Sequence, residues 1–304
     1  MRQRLQDTLR VAACLAFLPP AANAGTTDAV KHGEFVFRAA GCAGCHTDVD
    51  NDGPFMAGGR ALRTPFGTFY SPNITPDPEF GIGGWSEEDL ARALTQGVSP
   101  DGENYYPAFP YTAYSKMRRE DIAALKTYLD TVPPVAQPNR SHDLPWYLSY
   151  RPLVMAWNWL NFTPGEYRDD PEHDAPWNRG AYIAEALSHC AECHTPRDDT
   201  GGLDMDMANA GATGGPEGET VPNITSDRDT GIGQWSEDDI AYYLETGMRP
   251  DGDYAGSLMA EVIDEGLSHL DRDDLAALAR YVKSIPPIHN QVRQRTKSKR
   301  GEFD

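Results

Sequence analysis

The chain has 304 residues and a formal net charge of −19, from 46 acidic against 27 basic side chains. That excess of carboxylates excludes nucleic acid as a partner and favours solubility or steering toward a basic protein surface. The length is a soft case for two domains.

In chain order, Arg2, Arg4 and Arg10 form a basic start and Val11 to Leu18 a short apolar run, and Ala22-Asn23-Ala24 is an A-x-A cleavage site. Residues 1–24 therefore read as a secretory signal peptide. The apolar run is far shorter than the roughly 20 residues that cross a bilayer, and no other stretch is long and apolar enough. The mature protein is expected in the periplasm without a transmembrane span. Val11-Ala12-Ala13-Cys14 has some lipobox character but precedes most of the apolar run. Removing the segment takes away three arginines and one aspartate, which leaves the mature chain at −21.

A helix is predicted around Ala29–Ala40, leading into Cys42-Ala43-Gly44-Cys45-His46 and then a Gly/Pro-rich stretch. Ser86 suits a helix N-cap, with carboxylates in the first turn, and Gly97 suits its stop. A last helix places Ile122, Leu125 and Leu129 on one stripe and ends at Pro133-Pro134. Residues 25–135 form this first unit. Residues 136–175 differ in composition: Leu144-Pro145-Trp146-Tyr147, then Arg151 to Gly165 with Trp157, Trp159 and Phe162. So many aromatics suit a segment packed across both neighbouring units better than a flexible linker.

Residues 176–288 repeat the plan. A helix around Arg179–Ser188 leads into Cys190-Ala191-Glu192-Cys193-His194, and residues 221–252 match residues 71–102 at 18 of 32 positions without a gap. Ser236 and Gly247 repeat the cap and stop, and Leu275, Leu278 and Val282 the last stripe, ended by Pro286-Pro287. Residues 289–304 form a tail with Arg293, Arg295, Lys297, Lys299 and Arg300. A disordered end is expected there, with contact to a partner or anionic lipid as the alternative.

C-x-x-C-H is the attachment signature of c-type haem. Cysteines three apart share a helix face, so both sulfurs can bond the porphyrin's two vinyl groups, and the next histidine can hold the iron. Two copies inside a long repeat predict two covalently attached haem c groups, held by Cys42 and Cys45, and by Cys190 and Cys193. His46 and His194 are the proximal iron ligands. The competing reading is a zinc site made from the two C-x-x-C pairs, but zinc needs no histidine fixed beside the second cysteine. Cys14 leaves with the signal peptide, so no thiol remains for a disulfide or a nucleophile. The expected fold class is all-α: two tandem cytochrome c domains, each a few helices wrapped around a covalent haem.

In a His/Met site the thioether normally comes from the loop ahead of the last helix. Met259 stands there in the second unit, 65 residues after His194; a buried core methionine is the alternative. In the first unit the position matching Met259 is Phe109, which cannot ligate iron. Met117, eight residues later, is the leading candidate. Met56, an open five-coordinate iron and a distant histidine stay as alternatives, Met56 being read as packing in the Gly-rich loop. His189 is expected at a partly exposed edge and His269, the rival to Met259, facing solvent. His32, His142, His173 and His289 carry no spacing signal.

The stretches PNIT, GIG-x-WSE and YYPAFPY in the first half, with RPLVMAWNWLNF and WNRGAYIAEALSHCAECHTPR in the centre, resemble the multihaem cytochrome c subunits of membrane-bound periplasmic alcohol, gluconate and fructose dehydrogenases. The likeness covers nearly all of residues 30–288. It implies electron transfer from a periplasmic dehydrogenase toward a cytochrome, quinone or oxidase. Relatives often have methionine where Phe109 stands. Those subunits have three haem domains and a C-terminal membrane-associating helix. Here a two-haem member ending in a basic tail is expected, without a transmembrane span and with peripheral membrane contact as an alternative to none. A different class is a haem enzyme, a peroxidase or an oxidoreductase of small sulfur compounds, working at an open first haem. It lacks a spare cysteine and an evident acid–base pair near either motif.

Overall fold

The computed structural model describes residues 24–292. The predicted signal peptide, apart from Ala24, and the basic residues from Arg293 onward lie outside them. The first half runs through α1 (Ala24–Ala39), α2 (Cys42–His46), β1 (Ala61–Thr64), β2 (Gly67–Tyr70), α3 (Glu87–Gln96), α4 (Tyr111–Tyr114) and α5 (Arg119–Leu129). After α6 (Pro152–Asn161), the second half contains α7 (Ala175–Tyr182), α8 (Cys190–His194), β3 (Ala212–Thr213), β4 (Thr220–Val221), α9 (Glu237–Thr246), α10 (Ser257–Glu265) and α11 (Arg272–Ser284). Helices form the frame. The all-helical expectation missed two short antiparallel ribbons, paired from Ala61↔Tyr70 to Thr64↔Gly67 and at Ala212↔Val221 and Thr213↔Thr220. Both arise in the Gly-rich stretches after the cysteine motifs, where no long apolar alternation marks a strand.

In each half the first and last helices cross at a glycine. A β-carbon at Gly33 would stand 2.0 Å from the Ala124 carbonyl oxygen, and one at Gly180 would stand 1.9 Å from that of Ala277. Only a bare α-carbon lets α1 reach α5, and α7 reach α11, at this separation. Around the first crossing Val36, Phe37, Ile122 and Leu125 are buried; around the second, Ala181, Leu275, Leu278 and Val282.

α3 and α9 open with the same capping box. Asp89 N–H donates to Ser86 Oγ at 3.1 Å and Ser86 N–H donates back to the Asp89 carboxylate at 3.0 Å; Ser236 and Asp239 repeat this at 3.1 and 2.8 Å. Gly97 and Gly247 end these helices at φ 66° and 75°, as the sequence predicted. α7 starts four residues before the predicted Arg179, because the Asp174 side chain caps it by accepting from Trp177 N–H at 3.1 Å. It continues through a wider π-type turn, Ile183–Leu187.

The halves share one contiguous buried cluster and a polar seam. Asp121 accepts from the Tyr182 hydroxyl and lies 2.5 Å from His32 Nε2. Lys116 pairs with Glu185 and Arg60 with Glu261, each at 2.6 Å. The segment carrying α6 is tied to both halves. The Tyr111 hydroxyl donates to Asn158 Oδ1 at 2.5 Å, and Trp157 Nε1–H donates to the Thr200 carbonyl at 3.1 Å. Its outer rings, Trp146 and Trp159 above all, nevertheless stay exposed. α6 is apolar on nearly every side, and only one side meets the rest of the chain.

Candidate haem-attachment sites

α2 and α8 are short helices with the cysteine pair on one face. Each is entered through a residue in the left-handed region: Gly41 at φ 63° and His189 at φ 40°. Glycine adopts this conformation freely, whereas histidine does so at a cost of about 1–3 kcal/mol. His189 is partly exposed, as predicted from sequence, and its ring lies edge-on to Tyr114 at 5.4 Å between centroids.

Cys42, Cys45, Cys190 and Cys193 form no disulfides. Burial pushes Cys42 and Cys190 up to about 12, the opposite of an activated nucleophile. Cys193 is pushed up to about 11 by burial, by Glu192 and by the Cys45 thiol of the other motif. Cys45 and Cys193, one from each motif, thus lie close enough to interact electrostatically.

The histidines are held identically. His46 Nδ1 lies 2.8 Å from the Pro72 carbonyl oxygen, and His194 Nδ1 lies 2.8 Å from that of Pro222. A carbonyl can only accept, so Nδ1 carries the hydrogen and Nε2 keeps its lone pair for a metal. Burial lowers the pKa of both imidazoles, against the opposing pull of the carbonyl hydrogen bond, and favours the neutral, ligating form.

Pro72 and Pro222 open the repeated PNIT, whose purpose the sequence did not disclose. Asn73 Oδ1 accepts from Thr75 N–H at 2.9 Å while its amide donates to the Val135 carbonyl at 2.7 Å. Asn223 does the same with Thr225 at 2.8 Å and Ile288 at 2.8 Å. Each asparagine ties the loop presenting the proline carbonyl to the chain just after the last helix. The recurrence of PNIT in both halves was the signal that pointed to this role.

Met259 is half-buried in the first turn of α10, not in the expected loop. The segment Ser257–Glu265 is apolar enough on one side, with Ile263 buried, to form a helix that packs on α9 and also on α2 of the first half. Met117 is buried between α4 and α5. Counted back from the last helix, its counterpart in the second half is the buried Leu270, whereas Phe109 matches Met259 in the register counted forward from Gly102.

Met56 occupies a left-handed position at φ 61°, where its N–H donates to Thr47 Oγ1 at 3.2 Å; Asn209, at φ 61°, does the same with Thr195 at 2.9 Å. An asparagine in the equivalent place marks Met56 as part of the loop's frame. His269 is exposed, with Nε2 3.1 Å from the Asp264 carbonyl. His142 accepts from Tyr70 N–H at 3.1 Å, His173 stacks on Trp177 at 3.7 Å, and His289 lies 3.5 Å from Asp227.

These donors fit haem c: paired sulfurs on one helix face, an imidazole with Nε2 free, and a buried or half-buried thioether in each half. Zinc fits less well, since among the described residues no group of three or more His, Cys, Asp or Glu is gathered to hold a metal ion.

Comparison with known proteins agrees. The cytochrome c family profile matches residues 30–133. Over 88% of its length the chain is 42% identical to a "Diheme cytochrome c-type" protein of Cereibacter sphaeroides, 90% of which it covers. It is 40% identical to the gluconate 2-dehydrogenase cytochrome c subunit of Pantoea cypripedii over 89% of its length. It is 39% identical to the fructose dehydrogenase cytochrome subunit of Gluconobacter japonicus over 84%. It spans 63% and 52% of those two subunits, respectively. The chain belongs to the cytochrome c family, in the branch that holds dihaem c-type cytochromes and the cytochrome c subunits of dehydrogenases.

Proposed function

We propose that this protein is a periplasmic dihaem carrier that takes electrons from a dehydrogenase and passes them to a cytochrome, quinone or oxidase. As a cytochrome c it carries covalent haem c and transfers electrons; the count, the residues and the partners are our inference. Bound haem c supplies one-electron iron chemistry.

Residues 25–135 and 176–288 act as tandem cytochrome c domains. Cys42 and Cys45, and Cys190 and Cys193, anchor the two groups; His46 and His194 give the proximal nitrogens, and Met117 and Met259 the distal sulfurs. The carrying observation is the histidine–carbonyl bond, 2.8 Å in both motifs, which fixes tautomer and ring orientation in two places alike. The seam, which brings Cys45 near Cys193, favours exchange between the two groups.

The first test is the mass of mature protein from periplasmic material. A chain starting at Gly25 with two haem masses is expected; one haem, or zinc, ends the proposal.

A further inference from the structure

Residues 144–165 contain a single charged side chain, Arg151, in a chain where 24% of residues are charged. That arginine is turned inward: it donates to the Asn104 carbonyl at 2.8 Å, lies over the Tyr106 ring at 4.3 Å and approaches Glu103 at 3.7 Å. What faces outward is apolar. Trp146 is 86% exposed and Trp159 85%, with Tyr150, Leu153, Met155 and Leu160 exposed alongside. Among the described residues, no contact covers these two tryptophans, one on the short helix and one in the turn before it. A contiguous exposed apolar patch on a soluble protein marks an interaction site.

Charge selects the occupant. Exposed carboxylates outnumber bases around the patch: Asp143 before it, Glu103 beside the start of α6, Glu166 after its end, and Asp198, which holds Thr200 against Asn161, against the exposed Arg140 and Arg168 at its two ends. A second copy would bring two acidic rims together in a chain of net charge −19. An anionic lipid surface would meet those carboxylates with no lysine or free arginine in the patch to offset them. Tryptophan, tyrosine and methionine, with charge depleted at the centre, are the composition of a protein–protein interface core.

The patch also backs onto a file of rings. Phe162 contacts Tyr111 at 5.2 Å, Tyr111 contacts Phe109 at 6.2 Å, Phe109 contacts Tyr114 at 5.7 Å, and Tyr114 contacts His189 at 5.4 Å, next to Cys190. A partner on the outer face of α6 would sit at the outer end of this file.

We propose that the outer face of α6 and the turn before it is where the dehydrogenase docks, through an apolar depression framed by basic side chains. The proposal rests on the electron-acceptor function above. Its test uses the full holoprotein and the dehydrogenase that co-purifies with it from periplasmic material, with stopped-flow measurement of haem reduction when dehydrogenase and its substrate are supplied. The Trp146→Glu/Trp159→Glu variant should lose about tenfold or more in second-order rate, as expected for interface hot spots. Its visible spectrum, melting temperature and reduction by dithionite should match the parent. Glu166→Lys, which leaves the apolar patch intact, should slow reduction at low salt and weaken its salt dependence.

An unchanged rate in the tryptophan variant overturns the docking face alone. So does an unchanged rate accompanied by loss of binding to phosphatidylethanolamine/phosphatidylglycerol vesicles, or by loss of a dimer in sedimentation; these results assign the face to lipid or to a second copy. A parent protein that the dehydrogenase cannot reduce removes the proposed function and this partner together.

Discussion

Replacing Gly33 by alanine tests the crossing that holds the first half together. The added β-carbon would lie 2.0 Å from the Ala124 carbonyl oxygen and 2.7 Å from Tyr128 Cβ, about 1.4 Å short of the 3.4 Å of an ordinary contact. The obstacle is helix backbone, so it cannot swing aside; α1 and α5 must separate. A gap of that size forfeits much of the dispersion between the facing side chains Val36, Phe37, Ile122 and Leu125. Overpacking of this kind costs about 3 kcal/mol, while alanine's better helix propensity returns about 1 kcal/mol. The net loss is about 2 kcal/mol, or about 4–8 °C in melting temperature for a chain of this size. Circular dichroism of the holoprotein measures it. Gly180→Ala, whose β-carbon would meet the Ala277 carbonyl oxygen at 1.9 Å, should behave alike. A variant that melts at or above the parent refutes the close-crossing argument, because propensity would then have outweighed packing.

Met259→Ala should abolish the methionine-to-iron charge-transfer band of one haem and lower one potential by about a hundred millivolts, within the span that axial ligands command; survival of both makes another residue the ligand. With Met117 on the first iron, reduced protein should be slow to bind carbon monoxide and Met117→Leu should open one site to it. Fast stoichiometric binding to the parent would instead promote the enzyme reading. Asp239 is held below the usual carboxylate range by the Ser236 N–H and hydroxyl, and Asp89 likewise by Ser86. Both carboxylates thus add stability above the unfolded value near 3.9 that is lost as pH falls through their lower folded values. Ser86→Ala with Ser236→Ala should therefore lower the melting temperature at neutral pH and flatten its fall in acid; an unchanged acid slope would show that the caps carry none of it.

Much of the local structure was legible because its causes are local. A serine followed three residues later by aspartate, with glycine after about three turns, specifies α3 and α9 through hydrogen bonds within a single helix. The Gly/Pro-rich stretches were harder. Their ribbons are too short for periodicity to show, and PNIT looks like a turn until Asn73 is seen holding Val135, 62 residues away. Met259 was expected in a loop, since nothing in its immediate sequence reveals that Ile263 would be buried and wind the segment into a helix. The central aromatic segment was expected to be packed, yet Trp146 and Trp159 face outward, because hydrophobic content does not say which side finds a partner.

The sequence by itself determined the chemistry on offer: two C-x-x-C-H motifs, a histidine after each, and a repeat that makes them equivalent. Covalent attachment depends on neighbours along one helix turn, which a sequence displays directly. Tertiary structure decided what depends on distance between remote residues. It aimed each Nδ1 at a proline carbonyl, brought Cys45 near Cys193 across the seam, set the methionines against the core and left one aromatic face open. Those outcomes follow from how α1 crosses α5 and α7 crosses α11 over bare glycines, and no short stretch of chain encodes that packing alone.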